Sequence, residues 1–494
     1  MESSGDQASL GSSDEVRRQS SHPPFGQSGT YSVNYPAQAK TYPRRALASA
    51  TAVFTILWVA IPALVGASVF TPGAPGIQLL QINLAISSFA VAVIVASGAP
   101  RFNLLMFWIF GYLFGALAPI VQVGSETYFW PGTYSDEEVF SAAVVVVLGV
   151  LSWIGGYAIV ISNRMRPSHR VIVAQRLHRL GWIGLALIGM VGATAGRSFV
   201  LGGRGGLSSE AITVDLTSPV GILLRGAALV PVVLALVGLL IVRQQGSFES
   251  VRARLLIASL AVAVIVVANP VGNARYTFGA VAIAAAVALF GRSGPSRVRL
   301  LSASLVVALI LIFPIADSFR YSTDQVQGIE LNSGVFVGGD YDAFQQTMNG
   351  VRYVESRGAR DGQQALGAVF VGVPRSIWSD KPDPTGVTIA SASGYRFTNL
   401  SSPLWIEGYL DFQHIGTIFI SLLFGGLSAI LDRSYVRAPR SMLAVLSPIL
   451  AGYQTILLRG SLMGVSAFLF MWVALAFVLS SEPSGFRRRA ERKL

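Results

Sequence analysis

The sequence contains no cysteine, four histidines and only three lysines among its 37 basic residues. Without cysteine, disulfides and thiolate metal sites are excluded. The histidines His22, His169, His178 and His414 do not show a metal-ligand spacing such as H-E-x-x-H, so no metal or other cofactor is expected. The scarcity of lysine beside abundant alanine, glycine, valine and arginine suggests a high-GC bacterial genome.

Charged residues are also scarce. They make up 13% of the 494 residues, whereas 52% are hydrophobic and the mean hydropathy is +0.57. This composition is far too apolar for a soluble protein, and several apolar runs reach the ~20 residues that a membrane-spanning helix needs. The chain is therefore predicted to be a multi-pass protein of the bacterial plasma membrane.

The apolar runs predict an all-α fold with about twelve transmembrane helices. They cover residues 46–70, 76–97, 102–122, 139–162, 180–196, 219–242, 255–270, 276–290, 300–316, 404–431, 442–458 and 461–480. No signal peptide is expected before the first run. The predicted organisation is a disordered cytoplasmic tail (1–45), helices one to nine (46–316), a large extracytoplasmic helical loop called the cap (317–403), helices ten to twelve (404–480) and a basic cytoplasmic tail (481–494).

The basic residues are distributed unevenly between the connections. Twenty-five of the 37 fall on one alternating set, whereas the segment 123–138 has no lysine or arginine and carries four acidic residues. By the positive-inside rule both termini are cytoplasmic and the cap lies outside. The net charge of +12 then follows from topology and from attraction to anionic membrane lipid, so a nucleic-acid partner is not needed.

The twelve other basic residues are informative because they lie on the outer side of the membrane, where the positive-inside rule disfavours basic residues. They are Arg197, Arg204, Arg225, Arg275, Arg320, Arg352, Arg357, Arg360, Arg375, Lys381, Arg396 and Arg459. Arg197 and Arg204 belong to a glycine-rich segment that either holds a phosphate or forms a flexible loop with solvated charges. Arg275 is expected to point into an outer cavity. Arg320 and Arg225 either snorkel to the interface or serve function.

The cap and the helix after it carry further candidates. An apolar stripe predicts an amphipathic helix that ends at Arg357-Gly358. Its residues are Tyr341, Phe344, Met348, Val351 and Val354. A turn from Pro374 to Gly386 holds Arg375 and Lys381. Glu407, Asp411 and His414 follow at i, i+4 and i+7, which predicts one face of helix ten.

Two runs in this region carry a family resemblance. Pro374-Arg375-Ser376-Ile377-Trp378-Ser379-Asp380-Lys381-Pro382 lies in the cap, and Glu407-Gly408-Tyr409-Leu410-Asp411-Phe412-Gln413-His414-Ile415-Gly416 opens helix ten. Together with about twelve spans and a late outer loop, they resemble the bacterial O-antigen polymerase (Wzy-type) family. Arg375 and Gly386 also fit an Arg-x10-Gly pattern of some members. Where related sequences read Asn-Phe-Gly, this one reads Asp411-Phe412-Gln413.

The resemblance implies a fold of the C type of glycosyltransferases and polymerisation of oligosaccharide repeat units on the outer face of the membrane. The donor and acceptor would be oligosaccharides linked to polyprenyl diphosphate. The remaining partners would be membrane lipid, a flippase and a chain-length regulator protein. Arginines of the outer loops would serve catalysis.

The chemistry of this reaction leads to residue assignments. The leaving diphosphate must be neutralised and the acceptor hydroxyl deprotonated. Arg197, Arg204, Arg275, Arg320, Arg375 and Lys381 are predicted to bind the donor, because guanidinium–phosphate contacts are strong without a metal. Glu407 is predicted to be the base, with His414 as the second candidate. The alternative for Glu407 is a structural partner of Arg375 or Arg320.

Other function classes remain open. A lipid-oligosaccharide flippase or other transporter would show charges within helices and two related halves. Apart from Arg225 and the acidic residues at the outer end of helix ten, the helices are free of charges, and no repeat is found. A transferase of single sugars from a polyprenyl monophosphate commonly has an acidic first outer loop, whereas Phe70–Ile77 contains no acid. A ligase that moves a glycan block to a final acceptor, and a non-enzymatic scaffold, are the remaining alternatives.

Overall fold

The computed structural model of the chain describes residues 43–67, 73–163, 170–196, 200, 219–245, 250–270, 274–313 and 333–481. Three of the predicted substrate-binding residues, Arg197, Arg204 and Arg320, lie outside these ranges. Nearly all residues of the two predicted tails, 1–45 and 481–494, lie outside them as well.

Nine helices precede the cap in the described part of the chain. They are α1 (Pro43–Thr55, a π-helical turn Ile56–Ala60 and Ile61–Leu64), α2 (Pro75–Ser97), α3 (Phe102–Tyr112, a π-helical turn Leu113–Leu117 and Ala118–Gly124), α4 (Asp136–Ser162), α5 (Ala174–Ala195), α6 (Pro219–Arg243), α7 (Val251–Val267), α8 (Arg275–Phe290) and α9 (Pro295–Val307 and a π-helical turn Ala308–Ile312).

The described part of the cap begins with two short 3-10 turns, Ser333–Val337 and Gly339–Tyr341. The later helices are α10 (Ala343–Arg357), α11 (Gln363–Val369), α12 (Thr385–Ala392), α13 (Leu404–Arg437), α14 (Met442–Arg459) and α15 (Leu462–Leu479). Two short strands, β1 (Val171–Ile172) and β2 (Ser480–Ser481), pair antiparallel with Val171 opposite Ser481.

Each of the twelve predicted apolar segments overlaps a helix. Among the described residues, ten helices are long and apolar enough to cross a membrane, whereas α7 and α8 have only 17 and 16 residues. The all-α, multi-pass membrane fold is therefore confirmed. The number of crossings and the glycosyltransferase-C type of fold remain predictions.

The predicted tenth span has a different shape from the one expected. α13 breaks at Phe412 and Gln413, whose φ/ψ values of −142°/29° and 51°/−137° are not helical. Beyond the break the chain folds back along itself, and the backbones of Gly408 and Gly416 come into direct contact. The prediction of one straight helix was therefore wrong, because α13 is a helical hairpin.

The hairpin has a short arm, residues 404–411, and a long arm, residues 414–437. Glu407 and Asp411 lie on the short arm and are buried, whereas His414 begins the long arm and is exposed. The predicted common face of these three residues is therefore not formed. The i, i+4, i+7 spacing fails here because the backbone reverses before its last member.

Glycines let the central helices approach closely. Gly156 of α4 lies directly against the backbone of Leu422 in the long arm, and Gly452 of α14 lies against the backbone of Ala280 in α8. Lipid is as apolar as a leucine side chain, so helices in a membrane gain little from hiding apolar surface and depend on close packing instead. The glycines make that packing possible.

Acidic side chains of α13 bind the N-termini of three other helices. Backbone N–H groups donate to the carboxylates at 2.8–3.1 Å in these pairs: Asp432 with Asn103 and Leu104 of α3, Asp411 with Gln364 and Ala365 of α11, and Glu407 with Leu462 of α15. The first N–H groups of a helix have no partner within it, and the helix dipole favours an anion there. The hairpin therefore ties these helices to one another.

The two ends of the helix bundle carry different residues. At one end, called the basic end, Arg176, Arg292 and Arg433 donate to backbone carbonyls of neighbouring segments. The cap and residues 124–135 lie at the opposite end, called the cap end. The described residues of the two predicted sets of connections therefore lie at opposite ends. Which end faces the cytoplasm remains a prediction.

The predicted amphipathic helix of the cap is α10, and its apolar stripe is buried. Its polar side is covered as well, because the Gln345 side chain donates to the Trp130 carbonyl at 2.6 Å and the Tyr134 hydroxyl donates to Asn349 at 2.8 Å. At the start of α10, the Tyr341 ring stacks on Phe114 of α3 at 5.4 Å. The cap therefore reaches down between the helices.

Candidate functional site

A cleft opens below the cap between α3, α8, α9 and α14. Its walls are apolar, with Phe110 and Phe114 on one side and Ile283 and Leu309 among the facing residues. Its enclosed volume is small, about 30 Å³, and the cleft opens to the surroundings. Gly279 also lines the cleft, and a Cβ atom at this position would meet no atom within 4 Å. The cleft is therefore narrow, and it offers apolar walls to part of an apolar chain.

Two π-helical turns border this cleft. Leu113 and Phe114 belong to the turn in α3, and Leu309 belongs to the turn in α9. Such turns are rare and often occur at functional sites, because the extra residue interrupts the regular α-helical hydrogen bonding. Their position is a second reason, independent of the cavity, to regard the cleft as a site.

Two arginines lie where the cleft meets the cap. Arg275, the first residue of α8, stacks over Phe313 at 4.1 Å and forms an ion pair with Asp340. Arg459, the last residue of α14, stacks over Tyr276 at 5.1 Å and donates to the Asp340 carbonyl at 3.0 Å. An apolar cleft with guanidinium groups at one end suits a ligand with an apolar chain and an anionic head.

Two carboxylates accompany these arginines, but they differ in their surroundings. Asp342 is only 2% exposed, and it accepts hydrogen bonds from Arg459 at 3.2 Å, from Trp130 Nε1 at 2.9 Å and from the Ser401 hydroxyl. Asp340 is 15% exposed and its carboxylate contacts only the two arginines among the described residues. Asp342 is thus part of the cap structure, whereas Asp340 occupies a position that another anion could take.

The predicted donor-binding residues Arg375 and Lys381 lie in a different place. Arg375 donates to the Lys381 carbonyl at 2.6 Å and forms an ion pair with Asp383 at 2.5 Å. The Lys381 ammonium donates to the carbonyls of Val371 and Val373 at 2.7 and 3.0 Å, and partial burial, with a smaller effect of Arg375, lowers its pKa. Both cations bind the backbone of their own loop.

Gly386, the second member of the Arg-x10-Gly pattern, has a packing role. A Cβ atom at this position would lie 2.8 Å from the Leu400 carbonyl oxygen. Glycine therefore allows α12 to pack against the segment that leads into the hairpin. This contact explains the glycine without reference to Arg375, whose side chain is directed to residues 381–383.

The predicted base Glu407 is buried, with 3% of its surface exposed. Its carboxylate accepts hydrogen bonds from the hydroxyls of Thr385 and Ser402, both at 2.7 Å, and from the Leu462 N–H at 2.9 Å. A general base must lie within hydrogen-bond reach of the hydroxyl that it deprotonates. These contacts favour the structural alternative, although the partners are hydroxyls and a helix N-terminus instead of the arginines proposed from the sequence.

The second candidate base, His414, is exposed beside the break in α13. Its ring meets Tyr409 edge to face at 5.3 Å. The structure therefore brings only Arg275, of the predicted site residues that it describes, to the cleft. The catalytic roles of Glu407, His414 and Arg375 remain predictions.

The sequence reasoning did not assign three residues that form this site: Arg459, Asp340 and Gly279. Arg459 was recognised as a basic residue on the disfavoured side, which was a usable signal. Asp340 had no signal of its own, because its importance comes from the two arginines that it contacts. Gly279 could not be distinguished from the other 50 glycines of the 51 in the chain before the empty space beside it was known.

Comparison of the chain with protein-family models, with curated proteins and with solved structures gives no match.

Proposed function

We propose that the protein is a membrane glycosyltransferase that polymerises oligosaccharide repeat units carried on polyprenyl diphosphate, at the outer face of the bacterial plasma membrane. The observation that carries the proposal is the cleft with Arg275 and Arg459 at its cap end. A polyprenyl chain needs apolar walls, and a diphosphate needs fixed cations. This combination is the one that the cleft offers.

Asp340 refines this proposal. With Asp340 and Asp342, the two arginines form a group without net charge. An incoming diphosphate gains most if it displaces the partly exposed Asp340, because Arg275 then exchanges one carboxylate for a more highly charged ligand. Asp340 would thus hold Arg275 in place in the absence of donor, and would lower the affinity for anions of low charge.

The proposed step is a group transfer between two glycans. The acceptor hydroxyl oxygen forms a bond to the anomeric carbon of the donor, and the bond from that carbon to the diphosphate oxygen breaks. Polyprenyl diphosphate leaves with the electron pair, and the hydroxyl proton passes to a base. Arg275 and Arg459 would neutralise the negative charge that develops on the leaving group, which lowers the barrier most in a site that excludes water.

A polymerisation assay tests this function. Purified protein in lipid nanodiscs is incubated with polyprenyl-diphosphate-linked repeat units extracted from cells, and the products are separated by size. A ladder of chain lengths is expected for the unchanged protein. A single product in which one block has moved to another acceptor would indicate a ligase, and movement of donor across liposome membranes without new bonds would indicate a flippase.

The cleft itself is tested by filling it. Gly279→Leu places a side chain in the empty space, so binding of labelled polyprenyl diphosphate should weaken by at least about tenfold, or ~1.4 kcal/mol. Gly464→Leu is the matched control, because Gly464 is an exposed helical glycine of α15 that also has no atom within 4 Å of an added Cβ. Equal binding by both variants would exclude the cleft as the lipid site.

The side of the membrane can be tested separately. The chain has no cysteine, so Asp380→Cys introduces a unique thiol at an exposed position of the cap. A membrane-impermeant maleimide should label it in intact spheroplasts. Labelling only after the membrane is permeabilised would place the cap in the cytoplasm and would contradict the proposed reaction.

A further inference from the structure

α11 and the loop after it expose an unusual number of apolar side chains. Leu366, Val369, Phe370 and Ile377 are 50%, 59%, 49% and 78% exposed. The opposite face of α11, formed by Gln364, Gly367 and Ala368, is buried. α11 has no charged residue, so it does not have the polar outer face that is usual for a surface helix in water.

The position of α11 along α15 indicates its depth. The Ser466 hydroxyl donates to the Ala368 carbonyl at 2.9 Å, and Ser466 lies four residues into α15, about 6 Å along the helix axis from Leu462. α15 has 18 residues and is about 27 Å long, slightly less than the ~30 Å of the hydrocarbon layer. If α15 spans the membrane, Ala368 lies level with the edge of the hydrocarbon layer.

The start of α11 also lies beside a candidate membrane span. Gly362, the residue before α11, packs against the ring of Phe412 at the tip of the hairpin. From Phe412, exposed Ile415 and Phe419 continue along the long arm, which belongs to a candidate membrane span. The Gly362–Phe412 contact therefore joins the start of α11 to a candidate membrane span that also exposes apolar side chains.

We propose that α11 and residues 370–377 insert their apolar side chains into the leaflet at the cap end, so that this part of the cap is a membrane-interface anchor. The partner is the lipid surface itself. Aromatic and aliphatic side chains on one face of a short helix bind such an interface through the apolar area that they bury. The anchor also fixes Arg375 and Lys381 near the level of the lipid head groups. This inference does not depend on the proposed enzymatic function.

Spin labels on single cysteines test the depth. Phe370→Cys and Ile377→Cys probe the patch, and Asp380→Cys is the control in the same loop. Each labelled protein is reconstituted into liposomes, and its collision rates with oxygen, which concentrates in lipid, and with a water-soluble nickel chelate are measured. The ratio of oxygen to nickel collisions should be several-fold higher at positions 370 and 377 than at position 380.

The possible results show whether lipid, water or protein contacts this surface. A nickel accessibility at 370 and 377 equal to that at 380 would mean that the patch faces water, and would overturn the proposal. Low collision rates with both reagents would mean that protein covers the patch, which also overturns it. In that case, loss of spin–spin broadening on dilution with unlabelled protein would identify a second copy of the chain. The liposomes contain only this protein, so no other protein can cover the patch.

Discussion

The acidic residues of the hairpin and the basic residues of the cap end use their charges in opposite ways. Glu407, Asp411 and Asp432 are buried, and each binds the start of another helix. Arg275 instead lines a cleft, Arg459 lies beside it over Tyr276, and the two share a partly exposed partner, Asp340. Both groups are unusual in an apolar chain. Their partners distinguish a structural charge from one that is a candidate for ligand binding.

The arginines of the cap end also differ from one another. Arg375 lies on an exposed loop and binds carbonyls of that loop, and Arg352 forms a short ion pair with Glu138, which raises the pKa of its guanidinium. Arg275 and Arg459 are less exposed than either of these arginines. Location on the disfavoured side is therefore not sufficient evidence of function. A cation that also borders empty apolar space is a better candidate.

The largest expected effect is a loss of stability when Glu407 is replaced. Glu407→Gln replaces one carboxylate oxygen by an NH₂ group, which cannot accept from the hydroxyl or N–H group that it would face. The buried donor left without a partner should lower the stability by about 3 kcal/mol. Thermal unfolding in nanodiscs measures this effect, and Glu355→Gln, on the exposed side of α10, is the control.

The same variant separates the two roles of Glu407. If Glu407 only caps α15, donor-bound Glu407→Gln retains turnover at temperatures where it is folded. If Glu407 is the base, the variant is stable, binds donor and has almost no turnover. An unchanged melting temperature together with lost activity would therefore restore the catalytic assignment.

The next largest effect concerns Arg275 at the cleft, compared with Arg375 in the 374–386 turn. Arg275→Lys keeps the charge but loses the planar fork that binds phosphate oxygens in pairs, so polymer formation should fall about a hundredfold, or ~2.7 kcal/mol. Arg375→Lys should cost much less, because an ammonium can still donate to the carbonyls of residues 381 and 382. Initial rates with saturating acceptor measure both. A larger loss in Arg375→Lys would return the donor site to the 374–386 turn.

Replacement of Asp340 should raise the affinity for the donor instead of lowering it. Asp340→Asn removes the carboxylate that competes for Arg275, so affinity for labelled polyprenyl diphosphate should rise about tenfold, or ~1.4 kcal/mol. Asp342→Asn is a useful contrast, because Asp342 is buried among its donors and its loss should reduce stability. Weaker binding in Asp340→Asn would show that the carboxylate orients Arg275 for the ligand instead of competing with it.

Much of the fold could be predicted because hydrophobic length is a strong signal. Each of the twelve apolar segments overlaps a helix, and the apolar stripe from Tyr341 to Val354 correctly predicts α10. The hairpin could not be predicted in the same way. Its two arms form one continuous apolar segment, and only the backbone at Phe412 and Gln413 reverses the chain.

The candidate site was less predictable than the fold. Arg275 was selected because a short turn precedes it, and it does lie at the cleft. The partners of Glu407 come from residues 385, 402 and 462, a range of 78 positions that no spacing rule connects. The role of each charged residue depends on such partners, which are distant from it in the sequence. For this reason the sequence could propose charged residues but could not separate structural from ligand-binding ones.

The smallest expected effect concerns Gln413, where the chain reverses within α13. The family that the sequence resembles tends to have glycine at this position. Gln413 has φ of 51° and ψ of −137°, a backbone region that is comfortable only for glycine. Its side chain is exposed, and the Thr417 hydroxyl contacts only its backbone carbonyl, so no side-chain contact among the described residues compensates for the strain.

Gln413→Gly should therefore raise the stability by about 1 kcal/mol, since relief of backbone strain exceeds the greater freedom of glycine in the unfolded chain. Gln413→Ala is the matched control, because alanine keeps the Cβ atom that causes the strain and should give no gain. Both are compared with the unchanged protein by melting temperature in nanodiscs. Equal stabilisation by alanine and glycine would mean that the glutamine side chain, and not the backbone at the tip of the hairpin, carries the cost.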